Sequence, residues 1–471
     1  MLLKLAAVAL VLASAVARAD EGDGFHATPS LYWQDGEQRL DLSVAVRSRF
    51  EAWDAFAMDT DGFFGTRERL KLAYTWRSQL LLVGEIQDVR VGSLDPDGTG
   101  GLANYRNAAN GAYNAHGTDV HLLWAELRPT PLTFVRVGRQ DLKVGPEVTY
   151  PETDWRYLKT QRLGERLIGS VGFSHEERAA DGVTLGWDLG EHQLLVFAAE
   201  PTTGVFEVDH AYQFLHDVTY EGAEWTVKRG TWLPNTELTG FTIAYQDTRK
   251  PENGGLAHGL SIVTFGGSGL GVYPIGPGKL DVLLYGAGQL GSYDRLDHAA
   301  WAVFFETGYQ LPEYFLAPWL RAGVNVGSGD SNPTDGDHQT FFNMLPTNHI
   351  YYGFADQIEL PNLVDPFVQL RLTPHPMLAL NLFAHFFRLT SSSDSRYAGS
   401  GAFNNRTFGF TAQPSRGFTH VGREYDVVAT LTPHRALTLE AGWSWFDGGA
   451  MFSLNRSSQT HFGYVSAELQ Y

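Results

Sequence analysis

The sequence predicts an all-β protein: a transmembrane antiparallel β-barrel of about 18 strands, with short periplasmic turns and long extracellular loops. Three observations lead to this prediction. Apolar and polar residues alternate with a period of two along most of the chain. Short and long connections follow one another between the alternating segments, and the chain begins with the pattern of a secretory signal. The predicted location is therefore the outer membrane of a Gram-negative bacterium.

The N-terminal region divides into a signal peptide and a short exported segment. Residues 1–19 combine a positively charged start, an apolar run and the small-residue cleavage site Ala17-Arg18-Ala19. Residues 20–38 are predicted to form an N-terminal periplasmic segment, and residues 39–471 the barrel. No later stretch approaches a continuous apolar run of about 18 residues, so helical membrane spans are not expected.

The composition restricts the class of protein further. The chain has 53 acidic and 35 basic residues, a formal net charge of −18, which argues against a nucleic-acid partner. It contains no cysteine, and a barrel can close without disulfides because every strand edge is paired. Aromatic residues make up 13% of the chain and glycines number 51, as aromatic girdles and turns require. A soluble β-sandwich or propeller fits this composition less well.

The alternation identifies individual strands. Residues 40–47, 69–76 and 437–445 each place apolar side chains at every second position. Residues 461–471 alternate strictly and end on the aromatic Tyr471. An apolar face backed by a polar face is the pattern of a strand that separates lipid from a watery lumen.

The connections alternate in length, as in bacterial outer-membrane barrels. Short turns are predicted at residues 76–79, 128–131, 189–192, 373–376 and 432–435. Long loops rich in Gly, Asn, Asp and Ser are predicted at residues 92–117, 143–170, 330–361 and 391–419. A barrel of about 16–18 strands leaves an aqueous channel rather than filling its own interior. Since the loop at 92–117 has few anchoring side chains, a hypothesis is that it folds over the mouth and gates it.

The loop sequences resemble those of the alginate export family of outer-membrane barrels. The strongest segments read SGDSNPTDGDH at 328–338 and PTNHIYYG at 346–353. Shorter ones read VGRQ at 137–140, RAADGV at 178–183 and VGREYD at 421–426. Within the RAADGV segment, an alanine stands at position 180, where the family pattern has an aromatic residue. The resemblance implies an 18-stranded barrel with a basic lumen that passes an anionic uronate polysaccharide.

Strand parity predicts which cations face the lumen, since a mid-plane Arg or Lys on the lipid face would cost about 2–4 kcal/mol. Eight cations alternate with apolar neighbours and are expected to point inward: Arg47, Arg49, Arg67, Arg69, Lys71, Arg136, Arg321 and Arg371. Guanidinium groups bind carboxylates bidentately, so such a set could form a path for a chain of sugar carboxylates. The first five of these residues cluster on two successive strands, which favours an anion pathway over separate ion pairs with lumen acids.

Ion pairing within the lumen is the alternative interpretation of these cations. The acidic residues expected to face inward are Glu85, Glu126, Glu306, Glu424, Glu440 and Glu468. The last strand must pair with the strand near residues 39–50 so that no edge faces lipid. Glu468 is therefore expected on the strand beside the one that carries Arg47 and Arg49.

Signatures of enzymes and metal sites are weak. Asp330, Asp335 and Asp337 miss the spacing of an EF-hand, and His175 lacks a second histidine four positions on. No nucleophile elbow occurs, so no enzyme, metal or cofactor is predicted. The predicted function is passive export of an alginate-like polysaccharide. An uptake porin for small anionic solutes remains open, as does a barrel enzyme that acts on lipid or polysaccharide.

The predicted partners follow from the location and the cargo. They are outer-membrane lipid, the anionic polysaccharide, and periplasmic export or scaffold proteins. No nucleic-acid partner is predicted, and the barrel is expected to be a monomer.

Overall fold

A computed structural model describes residues 31–55, 61–209, 211–253, 255–398, 411–452, 455 and 457–471. The predicted signal peptide and residues 20–30 of the predicted periplasmic segment lie outside the described residues. Within the described part, no helix is long and apolar enough to cross a membrane.

Twenty-two strands follow one another along the described chain. The first eleven are β1 (Leu31–Asp35), β2 (Gln38–Ala55), β3 (Asp61–Trp76), β4 (Leu80–Gly92), β5 (Asn114–Thr130), β6 (Thr133–Gln140), β7 (Ala180–Asp188), β8 (His192–Pro201), β9 (Val218–Val227), β10 (Thr236–Asp247) and β11 (Leu260–Ile275). The others are β12 (Gly278–Tyr293), β13 (Leu296–Gln310), β14 (Trp319–Gly327), β15 (Asp337–His338), β16 (Leu363–His375), β17 (Leu378–Leu389), β18 (Arg396–Ala398), β19 (Thr411–Gln413), β20 (His420–His434), β21 (Leu437–Gly448) and β22 (Gln459–Gln470).

Eighteen of these strands, all except β1, β15, β18 and β19, pair antiparallel into a closed barrel. The predicted fold class and strand number are confirmed. Helices are few and short: α1 (Gly100–Ala108), α2 (Thr153–Leu158), a π-helical turn at Lys159–Leu163 and two 3₁₀ turns at Pro251–Asn253 and Ala450–Phe452.

The barrel closes where the first and last long strands meet. β2 pairs with β22 from Ala45 opposite Gln470 to Ala55 opposite Thr460. The register sets Glu468 directly opposite Arg47, so the predicted seam is confirmed. β1 folds back on β2 at Gln38–Leu42, where β22 has already ended.

Alternation along each strand separates the two faces of the barrel wall. On β2, Phe50 is 49% exposed while its neighbour Arg49 is 3% exposed. On β22, Val465 is 63% exposed and Tyr464 is buried. Apolar side chains thus face lipid and polar ones face the interior, because a membrane barrel has water only inside.

The short turns lie at one end of the barrel and the long connections at the other. Turns of two or three residues follow β3, β5, β7, β16 and β20, at the places predicted. The strands before the turns at Pro131, Pro376 and Arg435 run about two residues further than the sequence suggested. The loop at 92–117 differs from its prediction, because α1 anchors it through the buried Leu102 and Tyr105.

Two long connections fold into the barrel instead of away from it. Residues 141–179 follow β6, and residues 328–362 follow β14. They meet inside, where Ile168 forms a bridge with Leu345. Their apolar side chains fill much of the interior, including Leu163, Leu167, Ile168, Phe341, Phe342, Met344 and Leu345.

Candidate functional site

The inserted loop at 141–179, here called the pore loop, is fixed to the barrel wall by a buried carboxylate. Glu306 on β13 accepts hydrogen bonds from Arg162 at 2.9 Å and from Arg166 at 2.6 Å. Arg321 on β14 lies 3.0 Å from the same carboxylate, and all four side chains are almost fully buried. An unpaired buried charge is costly, so this group holds the pore loop in one place.

A second anchor lies on the opposite wall. Glu177 of the pore loop binds Arg67 at 2.5 Å and Arg69 at 3.3 Å, both on β3. Although burial alone raises the pKa of the Glu177 carboxyl, the guanidinium groups of Arg69 and Arg67 hold it well below its usual range. Arg69 also lies 3.5 Å from Glu85. Arg67 and Arg69 therefore hold the loop in place.

His175 sits between these anchors in a dry environment. Burial, reinforced by the nearby Arg49, lowers the pKa of His175 to about 3, so the imidazole is neutral at ordinary pH. Its Nε2 lies 3.3 Å from the Glu51 carboxylate. A Cβ at Gly65 would lie 2.2 Å from the imidazole ring, so only glycine lets β3 approach this closely.

A cavity of about 680 Å³ lies between the pore loop and the wall formed by β2, β16, β17 and β20–β22. Of its lining residues, Arg371 lies near the end of β16 that leads into a short turn, and Glu468 of β22 lies opposite Thr438, just after the short turn between β20 and β21. Because short turns face the periplasm in such barrels, we call this space the periplasmic cavity.

Five arginines line the periplasmic cavity: Arg47, Arg49, Arg156, Arg162 and Arg371. Arg371 donates through Nη1 to the amide oxygen of Asn381 at 3.1 Å and lies over the ring of Tyr157. Arg156 donates through Nη2 to the carbonyl oxygen of Pro151 at 2.9 Å. Neither arginine makes an ion pair within 4 Å in the described part of the chain, so both have N–H groups to offer a ligand.

Three carboxylates line the same cavity: Glu165, Glu440 and Glu468. Glu440 accepts hydrogen bonds from the hydroxyls of Tyr464 at 2.8 Å and Thr430 at 3.0 Å. Glu468 accepts one from Gln470 at 2.7 Å. The lining is therefore mixed in charge, with five arginines and three carboxylates. Two of these arginines also bind carboxylates outside the lining, Arg49 with Glu51 at 2.6 Å and Arg162 with Glu306 at 2.9 Å.

The structure places the eight predicted cations in three groups. Arg47, Arg49 and Arg371 line the periplasmic cavity. Arg67, Arg69 and Arg321 bind carboxylates that hold the pore loop. Arg136 binds Glu126 at 2.6 Å, and Lys71 faces Glu85 across the ladder.

The six acidic residues that were predicted to face the lumen fall into three groups. Glu85, Glu126 and Glu306 pair with the predicted cations. Glu424 makes no such pair among the described residues, because its carboxylate accepts from the backbone N–H of Ala355 at 2.8 Å. Glu440 and Glu468 line the cavity instead.

The pore loop supplies cavity residues that the strand pattern could not predict. Arg156 and Arg162 belong to α2 and the π-helical turn, not to a strand. Residues 143–170 were predicted as a loop, so strand parity could not assign Arg156 or Arg162 to the lumen. The sequence does not say that this short helical segment turns into the lumen.

A second, smaller cavity of about 90 Å³ lies towards the long loops, lined by residues such as Glu51, Trp53 and Tyr105. Among the described residues, three line both cavities: Arg49, Phe173 and His349. These three side chains lie between the two cavities and are called the partition here. Phe173 stacks on His349 with ring centroids 3.6 Å apart, and the Arg49 guanidinium lies 3.8 Å from the Phe173 ring centroid.

A closed 18-stranded barrel with a charged lumen and an inserted loop defines an outer-membrane channel. The chain belongs to the alginate export family, whose sequence model matches residues 38–466. The family resemblance and the outer-membrane location are confirmed. A search of curated proteins finds no match.

Solved structures with a similar fold are outer-membrane proteins. OpdK from Pseudomonas aeruginosa is 11% identical with a TM-score of 0.56, over 92% of this chain and 99% of that one. OccAB2 from Acinetobacter baumannii is 10% identical with a TM-score of 0.62, over 92% and 98%. OccK2 (OpdF) from Pseudomonas aeruginosa in complex with glucuronate is 9% identical with a TM-score of 0.58, over 92% and 97%. At these identities the likeness shows the fold alone.

Proposed function

We propose that this channel passes an anionic, alginate-like exopolysaccharide out of the cell by passive conduction along arginine side chains. The observation that carries the proposal is the periplasmic cavity, where five arginines face three carboxylates. Membership of the alginate export family supports the same cargo.

The chemistry of the cavity suits a sugar that carries a carboxylate. Arg156 and Arg371 each donate one N–H group to a neutral oxygen, so the remaining N–H groups of each guanidinium can bind a carboxylate. The rings of Tyr157 and Phe383 line the same space and offer apolar surface to a sugar ring. A uronate presents both kinds of group.

The carboxylate side chains of the cavity favour passage of a polyanion over its tight retention. Glu468 lies opposite Arg47 in the barrel wall, and Glu440 lines the cavity as well. Their negative charge weakens the attraction of the arginines for a polyanion. Conduction needs binding that is strong enough for entry and weak enough for departure, so sites of moderate strength in series favour movement.

The position of the cavity supports export. The larger space of about 680 Å³ lies at the short-turn end, and the smaller one of about 90 Å³ lies towards the long loops. A polymer that arrives from the periplasm would meet the larger, basic cavity first.

Uptake of small carboxylates is the second candidate. OccK2 (OpdF), a protein with a similar fold, was solved in complex with glucuronate. The periplasmic cavity also lies within the range of about 300–1,000 Å³ that is typical of small-ligand sites. Export and uptake differ in the size of solute that crosses the membrane.

The test compares the passage of two matched oligosaccharides through the full-length protein in liposomes. A short mannuronate oligomer is expected to leave the liposomes faster than a mannose oligomer of the same length, because only the former carries carboxylates for the cavity arginines. Equal rates would contradict the proposal. Passage of glucuronate with exclusion of the mannuronate oligomer would favour the uptake function.

A further inference from the structure

The partition between the two cavities depends on a short segment of the pore loop. Phe173 contributes the ring that stacks between Arg49 and His349. His349 comes from the other inserted loop, where Asp356 lies 2.8 Å from its Nδ1. For a sugar to pass directly from one cavity to the other, the Phe173 ring must move, because it lines both spaces.

One arginine holds the residues on both sides of Phe173. Arg47 on β2 donates from Nη1 to the carbonyl oxygen of Gly172 at 2.9 Å and from Nη2 to that of Ser174. Arg47 makes no ion pair within 4 Å in the described residues, although Glu468 faces it across the seam. The Arg47 guanidinium therefore binds two neutral carbonyl oxygens instead of a carboxylate. The same side chain lines the periplasmic cavity.

The held segment is under backbone strain. Val171 has a φ of +61°, in the left-handed region that a β-branched residue rarely adopts. The Ser174 hydroxyl oxygen lies 2.9 Å from the carbonyl oxygen of Val171 and 2.7 Å from that of Glu176, so its single proton is donated to one of them and tightens the turn. Strain of this kind persists only where surrounding contacts enforce it, and the two bonds from Arg47 are among those contacts.

We propose that Arg47 is a latch that a carboxylate ligand releases. This inference rests on the proposed function, in that the cargo carries carboxylates. A carboxylate in the periplasmic cavity competes with the Gly172 and Ser174 carbonyls for the same guanidinium. It can bind the guanidinium bidentately, and it adds an attraction between opposite charges that a neutral carbonyl lacks. Once Arg47 turns to the ligand, the strained segment moves and carries Phe173 out of the partition.

Because only a carboxylate releases Arg47, the movement of Phe173 depends on the charge of the solute. A neutral sugar of the same shape fills the cavity but offers Arg47 no carboxylate, so the segment stays in place. The arriving anion thus opens the path that it then follows.

Movement of the segment can be measured with a single thiol at Gly172. The natural chain has no cysteine, and a Cβ at Gly172 would meet only Glu177, at 3.7 Å, so Gly172→Cys introduces one thiol with little disturbance. The rate of labelling by a membrane-impermeant maleimide is measured on the full-length variant with glucuronate and with glucose. Glucuronate is expected to raise the rate about tenfold, roughly the effect of losing one charge-assisted hydrogen bond, whereas glucose leaves it unchanged.

Removing the latch provides the second measurement. Arg47→Met in the Gly172→Cys background is expected to show the fast rate without ligand. Arg90→Met is the matched control, since Arg90 lies on β4 with an exposed side chain that pairs with Asp88 at 2.9 Å, far from the segment. Its labelling rate should stay that of the parent.

The outcomes separate the latch from the proposed function. If glucuronate and glucose give the same labelling rate, the latch is wrong, even where mannuronate oligomers still cross the membrane faster than mannose oligomers. If Arg47→Met does not fold, the glucuronate comparison in Gly172→Cys alone decides. A fast rate for both arginine variants would also overturn the latch.

Discussion

Glu306→Gln is expected to lower the free energy of unfolding by about 3–5 kcal/mol, the usual effect of removing one partner from a buried ion pair. It is also expected to raise the single-channel conductance several-fold. The carboxylate is fully buried and is shared as an ion-pair partner by Arg162, Arg166 and Arg321. Two of these arginines belong to the pore loop, so their loss of a partner releases the loop from the wall and widens the lumen.

Glu126→Gln is the matched control for that experiment. Glu126 is equally buried, and it pairs with Arg128 and Arg136 on the barrel wall rather than with the pore loop. Its substitution should cost stability with little change in conductance. Urea unfolding in detergent gives the stability, and planar bilayers give the conductance. Unchanged conductance in Glu306→Gln would show that the buried carboxylate does not hold the loop.

We expect the natural channel to be anion-selective and the double variant Arg156→Glu with Arg371→Glu to be cation-selective. Both side chains line the periplasmic cavity and have no carboxylate partner within 4 Å among the described residues. Reversing both charges adds to Glu165, Glu440 and Glu468, so the excess of cations in the cavity becomes an excess of anions. The reversal potential in a potassium chloride gradient should change sign.

Arg90→Glu with Arg423→Glu makes the same change of charge away from the cavity. Both arginines are exposed and pair with aspartates on neighbouring positions of the outer face. This control should keep the reversal potential of the natural protein. A similar shift in both double variants would mean that overall charge, and not the cavity, sets the selectivity.

The barrel could be predicted from the sequence because its rules are local. The period of two assigns each strand residue to a face, and barrel closure places Glu468 on the strand beside the one that carries Arg47 and Arg49. The structure adds the register, in which Glu468 lies opposite Arg47. The difference in length between connections distinguished the two ends of the barrel. Family resemblance added the expectation of an anionic polysaccharide as cargo, which no periodicity contains.

The organisation of the lumen could not be predicted in the same way. Parity indicates that Arg67 and Arg371 face inward, but not that Arg67 binds Glu177, 110 residues away, while Arg371 stays available. These partners depend on two loops that fold back into the barrel, and a contact between residues far apart in sequence has no local signature. The partition of Arg49, Phe173 and His349 brings together a strand and both loops.

If the arginines of the periplasmic cavity recognise a carboxylated polysaccharide that arrives from the periplasm, a charged oligomer and a neutral oligomer should affect the current differently. Single-channel recording of the natural protein measures this, with a mannuronate oligomer and a mannose oligomer of equal length added to each side in turn. Mannuronate is expected to interrupt the current, at lower concentration from the short-turn side than from the long-loop side, whereas mannose is not. Interruption by both oligomers alike, or by neither, would contradict this expectation.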